Sequence, residues 1–152
     1  MDSSLSISDK IVSLDYLPLL GVKFEYGGRG PTAFDCYGLV MELHRRLGVE
    51  LPDYRSPEVL EDIANMLAVE RKYRWKEIAK KKPGELIPFE VMKPGSVIEI
   101  RMRGHACHVG FIHKPRRFLH TYETSGGVVQ NELAAWRDRI LGVYEYVGSD
   151  HA

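Results

Sequence analysis

The stretch FDCYGLV, residues 34–40, places an acid, a thiol and an aromatic ring at the start of an apolar helical pattern, and it follows the glycine-rich EYGGRG of residues 25–30. From Cys36 onward, apolar residues recur at positions 36, 39, 40, 43 and 47, which form one face of an α-helix. Gly48 is placed to end this helix, and Asp35 is a good cap for its beginning. The pattern therefore predicts a helix over about residues 36–47, with Cys36 in its first turn.

The thiol of Cys36 has two interpretations. A free cysteine often packs as a small buried apolar side chain and has no chemical role. At a helix N-terminus, however, the unpaired backbone N–H groups and the helix dipole lower the pKa of a thiol and favour the reactive thiolate. The charge of Asp35 would oppose this effect, so a further partner is needed, and histidine is the expected one.

Two of the six histidines, His108 and His120, are predicted to share one face of a β-hairpin. They lie in the segments HVGFIH and RFLHTYE, in which side chains would alternate between the two faces of a sheet. A three-residue loop over residues 114–116 would place Gly110 opposite His120 and both imidazoles on the same side, within reach of each other. A four-residue loop would place them on opposite faces, and a pairing of Phe111 with His120 would reveal that arrangement.

The shared face suggests a division of roles between the two imidazoles. His108 can act as the base toward Cys36, and His120 can hold the His108 ring in the required tautomer and orientation. Together with the helix start, this geometry predicts a catalytic set of Cys36, His108 and His120.

A structural zinc site is the alternative use of the same region. Its ligands would be the three HACH residues His105, Cys107 and His108. His113 or His120 would complete the site. The cluster lacks a second close ligand pair at zinc-finger spacing, and strand alternation directs His113 away from His108. The sequence therefore favours a site without a metal or any other cofactor. Cys107 is expected to face away from the site. The remaining histidines are expected to be solvated or locally bonded: His44, His105 and His151.

The composition limits the class of protein. A chain of 152 residues is long enough for one domain, over residues 1–152, and short for two. Its 21 basic and 21 acidic residues cancel, so the net charge does not indicate nucleic acid or a membrane surface as a partner. No apolar run is long enough for a membrane span, and MDSSLSISDK has no features of a signal peptide. We therefore expect a soluble protein that is made in the cytoplasm.

The rest of the chain predicts an α+β domain. A second helix is indicated over about residues 56–71, with Ser56 as its cap and Pro57 in its first position. A basic segment over 71–82 is interpreted as a solvated connection around a short strand at 73–78. After residue 91, about five short strands separated by turns predict an antiparallel sheet on which the N-terminal helices pack.

The motif FEYGGRGPTAFDCYGLV is followed in order by LGVELPDY, KPGSVIEI, HVGFI and FLHTYE, and this combination resembles the NlpC family of bacterial cell-wall cysteine peptidases. It is most similar to the branch found in phage tail-assembly proteins, and the resemblance covers about residues 17–147. It implies a papain-like α+β fold, with Cys36 as the nucleophile, His108 as the general base and His120 as the orienting residue. It also implies hydrolysis of the peptidoglycan stem peptide between D-glutamate and a diamino acid.

Three positions depart from the family pattern. Phe24 stands where the family often has a tyrosine that lines the site, and Ser96 replaces the aspartate of a Pro-Gly-Asp turn. Tyr37 stands where a serine usually follows the nucleophile, and it could form part of the pocket wall. Substrate contacts are expected from side chains near the catalytic set: Tyr26, Asp35, Tyr37 and Tyr122.

Other functions remain open at this stage. A structural tail-assembly protein with the same fold and little catalysis is the main alternative, and acyl transfer by the same thiol is another. As a phage component, the protein would sit in the virion tail, contact tail-tip or hub proteins and act in the periplasm or cell wall. Nucleic-acid binding is disfavoured because the candidate cations lack an interleaved aromatic platform: Arg101, Arg103, Lys114, Arg116 and Arg117.

Overall fold

The computed structural model describes residues 7–53, 75–102 and 105–148, with the backbone alone for residues 7, 8 and 105–107. Among these residues, two α-helices precede the sheet, α1 (Ile7–Lys10) and α2 (Cys36–Arg46), and a short helix, Leu133–Trp136, lies late in the chain. The strands are β1 (Lys23–Phe24), β2 (Ala33–Phe34), β3 (Trp75–Lys80), β4 (Val97–Met102), β5 (His105–Lys114), β6 (Arg117–His120), β7 (Val129–Glu132) and β8 (Ile140–Tyr146). The predicted helix over 56–71 and the residues Arg103 and His151 lie outside the described residues.

A six-stranded antiparallel sheet forms the centre of the fold, in the order β3-β8-β4-β5-β6-β7. This confirms the predicted α+β class, although the sheet has six strands where the sequence predicted about five. The extra strand is β3, Trp75–Lys80, from the basic segment; it pairs with β8 at the edge of the sheet. In the described part of the chain, no helix is long and apolar enough to cross a membrane.

Helix α2 begins and ends for the reasons that its sequence indicated. The Asp35 carboxylate accepts a hydrogen bond from the backbone N–H of Gly38 at 2.6 Å, so the predicted cap is confirmed. At the other end, Gly48 has a φ of 86° and donates its N–H to the carbonyl of Arg45, a conformation that glycine adopts without steric cost. The helix thus spans residues 36–46 and starts at the cysteine.

Two apolar clusters cover the two faces of the sheet. The first lies between α2 and the sheet and includes Leu39 and Leu43 of the helix with Val109 and Phe111 of β5. The second contains, among others, Ile98, Ile112, Phe118, Trp136 and Ile140. Because alternate residues of β5 belong to different clusters, the odd-numbered Val109 and Phe111 face the helix, whereas the even-numbered Ile112 faces the second cluster.

The β5–β6 hairpin has the predicted register but a different turn. Phe111 pairs with Leu119 and Ile112 with Phe118, so continuation of this register places Gly110 opposite His120. Lys114 pairs with Arg117, so the turn contains only residues 115 and 116, and His113 forms a β-bulge. The predicted three-residue loop is therefore wrong. The bulge supplies the odd residue that the loop was expected to supply, and the two histidines stay on one face.

His44 is a buried residue of α2, and its burial has a consequence for stability. It was expected to be solvated or locally bonded, and the local bond exists: Nδ1 lies 2.9 Å from the carbonyl oxygen of Val40. The ring is nevertheless 1% exposed and packs edge-on against Phe111. Burial lowers the pKa of His44 to about 4, so the folded protein holds this imidazole neutral at neutral pH.

We expect His44 to make folding sensitive to acid. Between about pH 6.5 and pH 4 the unfolded chain binds a proton at this residue and the folded protein does not, so the free energy of unfolding falls as the pH is lowered. A pKa shift of this size in one group changes the free energy of unfolding by roughly 3 kcal/mol. In His44→Leu, urea unfolding between pH 7 and pH 4.5 should therefore show a shallower dependence of stability on pH.

A packing change on the same helix provides the control. Leu43→Ala should lower the free energy of unfolding by an amount that does not change with pH, because it removes buried apolar contacts and no titrating group. An unchanged pH dependence in His44→Leu would contradict the prediction.

Candidate active site

Cys36 is the first residue of α2 and is completely buried. Its side chain carries a thiol and belongs to the apolar cluster between α2 and the sheet, which also contains Val109 of β5. Helix α2 packs against β5 and β6, the strands that contain His108 and His120. Helix α2 therefore packs on the two strands that carry His108 and His120, and the His120 imidazole lies against Phe118 and Trp136 of the second apolar cluster.

The carboxylate of Asp35, next to the thiol, has both of its oxygens occupied. Oδ1 accepts hydrogen bonds from the Gly38 N–H and from Arg29, and Oδ2 accepts one from the Gly27 N–H at 3.0 Å. The residue is 2% exposed. Asp35 therefore fixes the start of α2 and ties it to the glycine-rich loop.

Arg29 is the cation that lies beside Asp35. Its guanidinium forms an ion pair with Asp35 at 2.9 Å and another with Asp53 at 2.9 Å, and it lies 5.9 Å from the ring centre of Tyr37. Burial alone would lower the pKa of Arg29, but the two carboxylates raise it above its ordinary value, so the guanidinium stays charged. The negative charge of Asp35, which would oppose a thiolate at Cys36, is thus paired with the positive charge of Arg29.

His108 and His120 are in direct contact. Nε2 of His108 lies 2.9 Å from Nδ1 of His120, and both rings are essentially inaccessible to solvent. Gly110 lies between them on the same face, and a Cβ atom there would come within 2.8 Å of the Phe118 ring. The predicted shared face is therefore confirmed, and the missing side chain at Gly110 is what the close packing of this face requires.

Both imidazoles are neutral at pH 7. Burial lowers the pKa of His108 well below its usual value, and the neighbouring His120 adds to this effect. Burial likewise lowers the pKa of His120 to about 4, although a hydrogen bond to Asn131 opposes the shift. A neutral imidazole has one N–H and one nitrogen lone pair, so each ring can donate one hydrogen bond and accept another.

The family model of NlpC/P60 matches residues 21–145 of the chain. The chain belongs to the NlpC/P60 family. Members of this family are generally cell-wall peptidases. No curated protein matches the chain.

Solved structures show the NlpC/P60 fold over nearly the whole chain. A lipoprotein-like NLP/P60 family protein from Staphylococcus aureus has a TM-score of 0.57 and 21% identity, covering 97% of this chain and 45% of its own. NlpC2 from Trichomonas vaginalis has a TM-score of 0.60 and 18% identity, covering 96% of this chain and 49% of its own. The P60 domain of an antigen from M. avium subspecies paratuberculosis has a TM-score of 0.51 and 19% identity, covering 90% and 93%. The chain thus spans about half the length of the first two proteins.

The tyrosines expected to contact substrate occupy different positions in this NlpC/P60 domain. Tyr122 is closest to the histidine pair, with ring centres 5.6 Å from His108 and 5.2 Å from His120. Tyr26 is 39% exposed and its hydroxyl bonds to Glu123, the residue after Tyr122. Tyr37 is buried and its hydroxyl donates to the carbonyl of Pro52 at 2.8 Å. Tyr122 is therefore the one of these three tyrosines with a ring contact to the histidine pair, and a substrate role for all these residues stays a prediction.

Two residues near the histidine pair were not identified from the sequence. Nε2 of His120 lies 2.6 Å from Oδ1 of Asn131 on β7, and the Trp136 ring packs edge-on against His120 at 4.8 Å. The guanidinium of Arg139 lies over the Trp136 ring, 4.1 Å from its centre. Asn131 follows His120 by eleven residues on a neighbouring strand, and no local pattern in the sequence connects them.

His113, a possible zinc ligand in the sequence, faces away from the histidine pair. His113 lies against Tyr16 with ring centres 4.6 Å apart, and its Nε2 contacts Gln130 at 2.6 Å. Within the described residues, no three metal-ligating side chains come together.

Proposed function

We propose that this NlpC/P60 protein is a cysteine peptidase that hydrolyses the peptidoglycan stem peptide between D-glutamate and a diamino acid. The observation that carries the proposal is the buried contact of His108 with His120, on the strands against which the cysteine-bearing helix packs. Cys36 is the nucleophile, His108 the general base and His120 the residue that orients it. Family membership and the order of the sequence motifs support the assignment.

The neutral state of the histidines defines the first step. His108 accepts the thiol proton of Cys36 as the sulfur attacks the carbonyl carbon of the scissile bond, which gives a tetrahedral oxyanion. The resulting imidazolium then donates this proton to the leaving amine, and the C–N bond breaks to leave a thioester. Water, deprotonated by His108, attacks the thioester, and the departing sulfur regains a proton.

The start of α2 is suited to the negative charge that develops in this reaction. Backbone N–H groups at a helix N-terminus stabilise an oxyanion, and we propose that the N–H of Cys36 is among them. The Arg29–Asp35 ion pair lies beside this point and keeps the cap from adding an unpaired negative charge.

We further propose that the protein acts as a component of a phage tail tip that opens the cell wall locally. Support comes from the likeness of its motifs to the tail-assembly branch, including an aromatic residue, Tyr37, after the cysteine. Its partners would then be tail-tip or hub proteins. The protein would work in the periplasm or cell wall after delivery by the virion. Copurification with intact tails, detected by mass spectrometry, tests this placement separately from catalysis.

The peptidase proposal is tested with purified protein and defined substrates. A tripeptide with a γ-linked D-glutamate before the diamino acid should be cleaved into two fragments whose masses sum to the substrate plus one water. The same tripeptide with an α-linked D-glutamate is the matched control and should remain intact. If neither muropeptides nor the γ-linked tripeptide is cleaved, the proposal fails.

A further inference from the structure

We propose that Asn131 is a positioning residue that fixes the direction of the hydrogen bonds through His120 to His108, so that Nδ1 of His108 always carries a lone pair. The inference deepens the proposed function, because that lone pair is the one that would accept the thiol proton. Asn131 lies on β7, next to β6 in the sheet, and reaches His120 from the side opposite His108.

The orientation of the Asn131 amide is set by the backbone. Its Nδ2 donates to the carbonyl oxygen of Gln130 at 3.1 Å, so Oδ1 is the atom that faces His120. An amide oxygen only accepts hydrogen bonds, and it lies 2.6 Å from Nε2 of His120. Nε2 of His120 must therefore carry a hydrogen.

The tautomers of both rings follow from this contact. A neutral His120 with its hydrogen on Nε2 has a lone pair on Nδ1, and this atom lies 2.9 Å from Nε2 of His108. His108 therefore donates from Nε2. Because His108 is neutral as well, its Nδ1 has the remaining lone pair. This Nδ1 is buried and has no hydrogen-bond partner within the described part of the chain, so it is available to a proton donor.

The choice of an amide at this position also decides where charge resides during the reaction. When Nδ1 of His108 gains a proton, the positive charge can spread to His120 through their shared hydrogen bond. An amide oxygen is too weakly basic to accept a proton, so the charge stops at His120. Asn131 therefore directs the pair without becoming part of the proton transfer.

In the competing state, the hydrogen bond between the two imidazoles runs in the opposite direction, from His120 to His108. Without an acceptor at position 131, the hydrogen of His120 is better placed on Nδ1, where it can donate to Nε2 of His108. His108 would then carry its own hydrogen on Nδ1, and the base toward Cys36 would be lost. A wrong tautomer costs a serine protease about 10⁴-fold in kcat, and loss of the outer partner of a metal-binding histidine typically costs about 10- to 100-fold.

The test uses three variants and ¹⁵N NMR of the imidazole nitrogens, with kcat measured on the γ-linked tripeptide. In Asn131→Leu, the His108 and His120 signals should change to the other tautomer, and kcat should fall roughly 100-fold with little change in KM. Asn131→Asp keeps an acceptor in place, so it should retain the wild-type tautomers and most of the wild-type kcat. The carboxylate should also raise the pKa of the pair, which moves the acid limb of the pH–rate profile upward.

Gln130→Leu is the matched control. Gln130 is the neighbour of Asn131 on β7, and its amide oxygen also lies 2.6 Å from a buried histidine, His113. Its loss should leave the tautomers of His108 and His120 and the kcat value unchanged.

Two results would overturn the inference. One is an Asn131→Leu protein whose His108 and His120 keep the wild-type tautomers, and the other is an equal loss of kcat in Asn131→Leu and Gln130→Leu. The NMR measurement needs no substrate. If the wild-type protein cleaves nothing, the proposed function fails while the tautomers still decide the role of Asn131.

Discussion

Replacing Cys36 with alanine should abolish cleavage of the γ-linked tripeptide, with a loss on the order of 10⁴-fold or more in kcat, because removal of a nucleophile leaves only binding and oxyanion stabilisation. The cysteine is fully buried in the first turn of α2, and alanine keeps the helix and most of the packing. The unfolding midpoint of the variant should stay near that of the wild type, so the loss would be chemical and not structural.

Cys107 offers the matched control, because it is the other cysteine of the chain. Cys107→Ala should retain the wild-type rate of cleavage, whereas Cys36→Ala should not cleave the tripeptide. If Cys36→Ala cleaves the tripeptide as fast as the wild type, Cys36 is not the nucleophile.

Replacing Gly38 with alanine should cause a large fall in the free energy of unfolding. A Cβ atom at this position would lie 2.0 Å from the carbonyl oxygen of Gly28 and 3.1 Å from Oδ1 of Asp35. The first contact is with backbone, and the same carbonyl accepts the N–H of Asp35 at 3.1 Å, so relief of the clash must separate the glycine-rich loop from the helix start. Overpacking usually costs about 1–3 kcal/mol, and we expect roughly the upper end of that range or more.

Urea unfolding followed by circular dichroism measures this effect. Lys82→Ala, a change at an exposed side chain outside the helices and strands, is the control and should leave the unfolding midpoint nearly unchanged. A Gly38→Ala protein as stable as Lys82→Ala would contradict the close approach of Gly28 to α2.

Local sequence signals predicted the helix start because they act within a few residues. The cap Asp35, the apolar repeat after Cys36 and the terminating Gly48 each determine the backbone near themselves, and α2 follows the predicted bounds to within one residue. The strand alternation of HVGFIH and RFLHTYE was sufficient to place His108 and His120 on one face, because alternation depends on the backbone and not on distant contacts.

The features that the sequence did not predict depend on contacts between distant segments. Asn131 meets His120 only because β7 pairs with β6, and Arg29 meets Asp53 only because the segment after α2 returns to the start of that helix. The burial of His44 depends on the sheet that covers it, in particular on Phe111. In each case the residue type was visible, but its partner was defined by the tertiary structure.

The bulge at His113 makes the alignment of the two histidines insensitive to the length of the turn that joins their strands. Five residues lie between Ile112 and Phe118, which form a pair, and an odd number cannot fill a two-residue hairpin turn without one extra residue. Adding or removing one residue at the turn would restore a regular hairpin with Ile112 still opposite Phe118. Related chains could therefore differ in length at this turn, and the imidazoles would still meet.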